Sequence, residues 1–401
     1  MGKIVRSGAR EPSFQVAAEA LKDLAELTIS SRQASRIAQE VGQQLQAQRD
    51  QDVKRLQAHE LEPREPTRPM LAVVGVDGGR LQIRGEGDGP GAHDGSWRED
   101  KIAVLATAVT TPFDADPEPD LPECFRNQKC VEELVRGISG QSPLRPSDLQ
   151  AEEDADPPPE VREQPGQTRK KPELLVRTYV ASTRGSDEFG PMVAAEAQKR
   201  NFPKAALRAF LGDGGGWIWK LHQRYFSTFT AVVDFLHVLG HLFAAAKAAR
   251  TEAGAGWALF QNWAEACWQG QVGRVIEQLV ILRDAQGSLP EAGMEALGDD
   301  DPRKILAREL GYLEHNQERM DYPRYRQAGL PWTSSHVEST VKLFNKRVKG
   351  SEKFWGESGA EAILQLRGAF LSEDGRLARH LQSQPASPFR TYKARQNAQA
   401  A

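Results

Sequence analysis

The sequence has few cysteines and no long apolar run. Its 401 residues include only three cysteines, too few for a disulfide framework, and no Cys-x-x-Cys pair of the kind that binds zinc. No apolar stretch approaches the roughly 20 residues needed to cross a bilayer, and the first residues lack the apolar core of a signal peptide. We therefore expect a protein of the reducing cytoplasm with no membrane partner.

The sequence also lacks a strong net charge, but its charges are unevenly distributed. Lys and Arg number 52 against 55 Asp and Glu, a formal charge of -3. Residues 112–172 are rich in proline and acidic residues, so we expect a partly disordered insertion there. Residues 339–401 instead hold 11 Lys and Arg against 5 Asp and Glu. A near-neutral total therefore conceals a basic C-terminal part, which is typical of proteins that contact phosphates.

The first 65 residues predict a helical region of their own. Residues 16–48 have apolar positions at helical spacing, interrupted by the sequence TISSRQ, whose serines are suited to cap a second helix. Such a pair is either a helix-turn-helix that docks on DNA or a plain helical hairpin. The polar, proline-rich residues 49–69 then predict a linker, with a domain boundary near Glu65.

The rest of the chain predicts an α/β fold. Strand candidates are residues 71–84, with a turn at Gly78-Gly79, and residues 101–110, 173–183, 205–214 and 229–238. Helical patterns separate the later strands, fill residues 239–328 and return in two C-terminal helices. This order favours a mixed five-stranded sheet with flanking helices. The predicted organisation is a helical region (1–65), the first part of the sheet domain (66–238), an all-α insertion (239–328), the C-terminal helices of the sheet domain (329–375) and a basic tail (376–401).

Three acids stand where a hard cation could be held. Asp77 and Asp213 each follow an apolar strand candidate and are flanked by glycines, whereas Glu338 stands in the first turn of a predicted helix. Each has a simpler explanation, a turn for the aspartates and helix capping for the glutamate. Two strand ends of this kind in one sheet favour a shared site, since carboxylates on rigid elements are what two Mg²⁺ ions need around a phosphate.

A second acidic position lies close by in the sequence. Asp234 and His237 come at the end of the fifth strand candidate, with His241 four residues further on. The histidines are either packing residues or a zinc pair, and the absence of suitable cysteines argues against zinc. From the residues alone, Asp234 competes with Asp213 as the second metal ligand.

Taken in order, these segments resemble the DDE transposases of bacterial insertion sequences, in the Kra-type group distantly related to Mutator-like elements. The resemblance is carried by VDGGRLQIR, WREDKIAVL, LGDGGGWIWKL and VVDFLHVLGHL, and most specifically by the stretch from Tyr312 to Phe370. It spans roughly residues 70–372 without the acidic insertion, and it extends more weakly to the N-terminal helices.

The resemblance implies an RNase H-like catalytic domain interrupted by an all-α insertion before the catalytic glutamate. It makes Asp77, Asp213 and Glu338 the ligands of two Mg²⁺ ions, for which Mn²⁺ can substitute, and Asp234 and His237 a supporting Asp-x-x-His motif. The implied activity is cleavage at transposon ends and strand transfer into target DNA.

The implied partners are double-stranded DNA, as terminal inverted repeats and target, and a second copy of the chain in a homodimer or larger assembly. The expected location is the bacterial cytoplasm, at the nucleoid. The phosphate-binding candidates are Lys342, Lys346, Arg347, Lys349, Lys353 and Arg367.

Two other functions remain open from the sequence. One is a domesticated, non-catalytic DNA-binding protein, which the presence of all three acids disfavours. The other is a different RNase H-like nuclease, which the length and the helical insertion disfavour.

Overall fold

The computed structural model describes residues 1–85, 96–138, 171–250, 252, 254–287, 297–333, 335–350 and 353–384, except for the side chains of residues 96, 138 and 335–338. The second half of the predicted insertion and most of the predicted tail therefore lie outside the described residues.

A mixed β-sheet forms the centre of the molecule. Its strands are β1 (Leu71–Ile83), β2 (Ser96–Val109), β3 (Glu173–Ser182), β4 (Leu207–Gly212), β5 (Thr230–Val233) and the short β6 (Phe354–Trp355). The order is β3-β2-β1-β4-β5, with β6 paired to the end of β1. Strands β1, β2 and β3 are antiparallel neighbours, whereas β4 lies parallel to β1 and β5 parallel to β4. The predicted α/β class with a mixed sheet is confirmed at this level.

The predicted turn at Gly78-Gly79 is wrong, because β1 runs straight through both glycines. Gly78 pairs with Lys101 and Gly79 with Asp100 on the neighbouring strand β2. A Cβ atom on Gly79 would lie 2.7 Å from Oδ1 of Asp100, and one on Gly78 would lie 2.9 Å from Oε1 of Glu99. The glycines are therefore explained by the close approach of two acidic side chains rather than by a turn.

Helices cover both faces of the sheet. They are α1 (Gly2–Arg10), α2 (Phe14–Ala25), α3 (Ser31–Gln57), α4 (Glu123–Arg126), α5 (Gln128–Ile138), α6 (Ser186–Lys199), α7 (Gly216–Tyr225), α8 (Phe235–Ala249), α9 (Ala255–Trp268), α10 (Val272–Ala285), α11 (Pro302–Asn316), α12 (Tyr322–Gln327), α13 (Ser335–Val348), α14 (Glu357–Leu371) and α15 (Arg376–Ser383), with short 3₁₀ turns at Phe202–Lys204 and Gln317–Arg319. No helix in the described part of the chain is long and apolar enough to cross a membrane.

The N-terminal helices pack on the sheet domain. Helix α3 lies along α14 so closely that a Cβ atom on Gly42 would meet the carbonyl oxygen of Ala362 at 2.1 Å. Val5, Ala38 and Val41 share a buried cluster with strand residues such as Ile102. The predicted linker from residue 49 is helical up to Gln57. Residues 1–57 therefore share buried contacts with the sheet domain, whereas Ile4, Leu21 and Ala34 form a small cluster of their own.

The beginning of the predicted insertion is also packed. Leu121, Phe125 and Val131 are buried, and the ring of Phe125 lies 5.8 Å from that of Phe235 on α8. Arg326 pairs with Asp116 at 2.5 Å and stacks on Trp268 of α9 at 3.9 Å. The composition of residues 112–138 suggested disorder, but these apolar residues bury themselves against the helical block instead of forming a core of their own.

Candidate active site

Three aspartates lie level with one another on three neighbouring parallel strands, at the point where β4 and β5 end. The last β1–β4 pair is Gly75 with Leu211, and continuing that register by two residues brings Asp77 level with Asp213. The last β4–β5 pair is Gly212 with Val233, and the next residue on each strand is Asp213 and Asp234. Carboxyl ends of parallel strands are where α/β folds place their ligands.

The charges of Asp213 and Asp234 act on Asp77. Burial raises the pKa of Asp77 to about 6, and the negative charges of Asp213 and Asp234 contribute to the rise. His237 and the amide of Gly78, which donates a hydrogen bond of 2.7 Å to Oδ1, oppose the shift. Acids that repel each other in a partly buried place favour either a proton or a cation between them.

Asp213 is held by a tight glycine loop. Its Oδ1 accepts a hydrogen bond of 2.8 Å from the amide of Gly215. Gly214 has a φ of +106°, a conformation that suits glycine, and a Cβ atom there would lie 2.4 Å from the ring of Tyr312. The glycines after Asp213 thus allow the loop to turn directly beneath helix α11.

The helical insertion contacts this loop. The hydroxyl of Tyr312 donates a hydrogen bond of 2.8 Å to the backbone oxygen of Asp213. The ring of Tyr312 stacks on His241 with 3.5 Å between centroids, and His241 is hydrogen-bonded through Nδ1 to Glu309. Residues predicted to form an insertion between β5 and the glutamate helix therefore support the second aspartate.

The fifth strand is shorter than predicted, so Asp234 and His237 lie outside it. Strand β5 ends at Val233, and α8 begins at Phe235, so His237 lies in the first turn of a helix. Asp234 is fully buried and caps this helix, its Oδ1 accepting a hydrogen bond of 3.0 Å from the amide of Leu236. A capping role accounts for a carboxylate at this position without any ligand.

The third predicted acid belongs to a helix that packs on the sheet. Glu338 lies in α13, which packs on the sheet through the buried residues Val341, Phe344 and Val348. These residues share a cluster with Leu81 of β1, on the sheet face to which Asp77 belongs by strand alternation. The side chain of Glu338 itself lies outside the described residues.

Asp100 is a candidate site residue that the sequence analysis missed. It is fully buried in β2, opposite Gly79, and therefore on the same sheet face as Asp77. Burial raises the pKa of Asp100 to about 6, its own backbone amide opposes the shift, and the charge of Asp77 adds to it. Counting back by two from the apolar residues Val104 and Ile102 would have assigned Asp100 to the inner face, but the run Arg-Glu-Asp-Lys is typical of an exposed turn.

The predicted phosphate-binding residues divide into two groups. Lys342 and Lys346 are exposed on α13, and Lys349 is half-buried at its end. The ammonium group of Lys353 donates to the carbonyl of Lys346 at 3.0 Å, and burial, with the charge of Arg347, lowers the pKa of Lys353 to about 8.

Arg347 and Arg367 are buried, and their assignment to a DNA surface does not match their positions. Arg347 donates to the carbonyl of Gly8 at 2.9 Å and lies over the ring of Phe14. Arg367 donates to the carbonyl of Ala9 at 2.7 Å. Both guanidinium groups dock the N-terminal helices onto α13 and α14, and in these positions neither can reach a phosphate.

The described residues do not contain a complete metal centre. No group of three or more His, Cys, Asp or Glu side chains among them lies close enough together to hold a metal ion. The aspartates present are hard oxygen donors of the type that Mg²⁺ prefers, and Mg²⁺ commonly binds through one or two carboxylates with water as its remaining ligands. Asp77 and Asp213 thus have the donor chemistry that would suit Mg²⁺.

Neither protein-family models nor curated protein sequences give any match to the chain.

Proposed function

We propose that this chain is a DNA transposase of the DDE type with an RNase H-like catalytic domain. The observation that carries the proposal is the level position of Asp77 and Asp213 on neighbouring parallel strands, with Asp213 acting on the pKa of Asp77. The strand order, with three antiparallel strands followed by two parallel ones, is the order that an RNase H-like domain would have.

The other parts of the proposed enzyme are supported by the placement of helices. Helix α13, which carries Glu338, packs on the sheet face to which Asp77 belongs. The helical block lies in the chain between β5 and α13, where the resemblance expects an insertion. Its contact with the Asp213 loop gives that insertion a role in holding the site.

In the proposed mechanism Asp77, Asp213 and Glu338 would hold two Mg²⁺ ions. When bound, such ions supply a polarised water or DNA 3′-hydroxyl and stabilise the leaving oxygen in an in-line attack on a phosphodiester. Tyr312 holds the Asp213 loop through its hydrogen bond to the backbone. The exposed ammonium groups of Lys342 and Lys346 would bind DNA phosphates beside the site.

The direct test uses a supercoiled plasmid carrying the gene with its native flanking DNA. We expect the full chain with Mg²⁺ or Mn²⁺ to nick this plasmid at the element's ends, and expect no nicking in EDTA. Asp77→Asn, Asp213→Asn and Glu338→Gln should each lower the rate by about 10³-fold or more, the scale of removing a preorganised electrostatic group. Glu99→Gln is the matched control, because Glu99 is on the opposite face of β2 and pairs with Lys101.

The alternatives predict different results in the same assay. A non-catalytic DNA-binding protein would bind the ends without nicking them, and Asp77→Asn would leave that binding unchanged. An RNase H-like nuclease of another kind would cut branched DNA or an RNA–DNA hybrid without preference for the native flanks. Equal nicking by wild type and Asp77→Asn would contradict the catalytic assignment.

A further inference from the structure

The carboxylate of Asp100 is buried and has no partner among the other described residues. Its side chain has no exposed surface, and neither Oδ1 nor Oδ2 meets hydrogen-bond geometry there, although its own backbone amide acts on its pKa. Among the described residues the cation whose charge lowers its pKa is Lys349, beside the end of α13, yet no ion pair joins the two. An unpaired carboxylate in such a place costs stability, so a purely structural role does not explain it.

The surrounding backbone is shaped around this carboxylate. Asp100 lies opposite Gly79, and any side chain at Gly79 would come within 2.7 Å of Oδ1. Asp77 lies two residues before Gly79 on β1, on the same sheet face, and close enough for its charge to act on Asp100. Asp77 therefore lies between Asp213 on one side and Asp100 on the other.

We propose that Asp100 and Asp77 form a second subsite for a divalent cation, with Asp77 shared between this subsite and the one at Asp213. The inference rests on the proposed function, since it adds a ligand to the same metal centre. Two carboxylates are sufficient protein ligands for Mg²⁺ or Mn²⁺ when water supplies the remaining positions. The cation would add to the positive charge of Lys349, which forms no ion pair with Asp100.

The test measures Mn²⁺ binding to the full chain by titration calorimetry, without DNA. The variants are Asp100→Asn, Asp77→Asn and the matched control Glu99→Gln, which removes the neighbouring carboxylate from the opposite face of β2. We expect Asp100→Asn to weaken Mn²⁺ binding by about 10-fold or more and Glu99→Gln to change it less than about twofold. Thermal melting adds a second readout, in which Mn²⁺ should raise the Tm of wild type more than that of Asp100→Asn.

The outcomes separate the two proposals. If Asp77→Asn abolishes Mn²⁺ binding and Asp100→Asn leaves it at the wild-type level, the second subsite is refuted and the main site stands. If wild type binds no Mn²⁺, the metal centre of the proposed function fails together with the subsite. If Asp100→Asn and Glu99→Gln decrease the Mn²⁺ affinity equally, the loss of any nearby negative charge explains the decrease. This result would also refute the subsite.

Asp100→Ala provides a second test in case Asp100→Asn does not fold. Circular dichroism at about 25 °C shows whether each variant retains its secondary structure. A folded Asp100→Ala that binds Mn²⁺ like wild type would overturn the inference as firmly as the asparagine variant would.

Discussion

Two of the clusters of buried acids in the described structure have opposite electrostatic surroundings. Around Glu196 on α6, burial alone would raise the pKa, but Arg376 and Lys199 lower it well below its ordinary value. Lys199 lies 3.0 Å from Glu196, and Arg376 also pairs with Asp374 at 2.9 Å. Around Asp77, by contrast, the neighbouring charges are largely those of other acids, Asp213 and Asp234, and the pKa of Asp77 is raised.

The difference separates a structural cluster from a candidate site. When a buried acid pairs with a guanidinium and an ammonium group, its charge is compensated by groups of the protein itself. Among the described residues, the charges of His237 and Lys349 oppose the raised pKa values of Asp77 and Asp100 without cancelling them. Perturbed carboxylates of this kind concentrate at functional sites, which is why the second cluster, and not the first, supports a catalytic proposal.

The largest change in stability is expected when the ion pairs around Glu196 are broken. Arg376→Ala removes the main partner of Glu196 and leaves a buried charge with reduced compensation, so the free energy of unfolding should fall by about 3–5 kcal/mol. Urea denaturation at pH 7 measures it. Arg379→Ala is the matched control, because Arg379 is exposed and contacts Asp374 only at the surface, and it should cost less than about 0.5 kcal/mol. Similar decreases in both variants would contradict the distinction.

In the Asp77 cluster, removing the charge of Asp100 should instead raise the free energy of unfolding at pH 7, and by a smaller amount. Because the pKa of Asp100 is raised to about 6 in the fold from an ordinary 3.8, the folded state binds more protons than the unfolded state between these values. The stability of the metal-free protein should therefore fall as the pH rises from about 4 to 7, by at most about 3 kcal/mol from this group. Asp100→Asn should be more stable than wild type at pH 7 and equal to it near pH 4.

Urea denaturation in EDTA at these two pH values checks this expectation. Glu99→Gln should retain most of the pH dependence of wild type, because burial raises the pKa of Asp100 more than the charge of Glu99 does. A stability difference between wild type and Asp100→Asn that stays constant over the range would show that Asp100 is not the group that titrates.

The contact between the insertion and the Asp213 loop predicts a more modest change. Tyr312→Phe removes one hydrogen bond but keeps the ring stacked on His241, so it should cost about 0.5–1.5 kcal/mol of stability and slow the plasmid nicking. Tyr325→Phe is the matched control, because its hydroxyl donates to the backbone oxygen of Ala231, away from the Asp213 loop. Equal nicking rates in the two variants would remove Tyr312 from the site.

The smallest expected change concerns the exposed lysines of α13. Replacing Lys342 and Lys346 by alanine should weaken DNA binding and reduce the slope of log K against log salt concentration by about 1 for each lysine that binds a phosphate. Lys304→Ala, in the helical block, should leave the slope unchanged. Filter binding over a range of salt concentrations measures both, and an unchanged slope in the double variant would contradict the assigned surface.

Local pattern was informative where one segment decides its own structure. The apolar run from Leu71 to Val76 indicated a strand, and the same pattern placed Asp213 at a strand end. Helical spacing in residues 239–328 correctly indicated helices. Periodicity failed at Gly78-Gly79, because a glycine pair suits a turn and a close strand approach equally well, and the deciding contact comes from Asp100 on another strand.

Charge was the least informative signal by itself. Arg347 and Arg367 belong to a basic stretch, and a solvent-exposed surface was the natural expectation. Their guanidinium groups instead donate to carbonyls of the first ten residues, more than 300 positions away in the chain. Asp100 was hidden for the same reason, since a charged run near a strand start indicates exposure until a partner strand covers it.

The sequence by itself therefore determined the alternation of strands and helices, the acidic residues at the strand ends and the absence of a long apolar run. Only the tertiary structure decided which of those acids share a level on the sheet, which arginines are buried and that Asp100 has no hydrogen-bond partner among the other described residues. The physical reason is that hydrophobic periodicity is a property of one segment, whereas burial and pairing of charges depend on strand register and on helices supplied by distant parts of the chain.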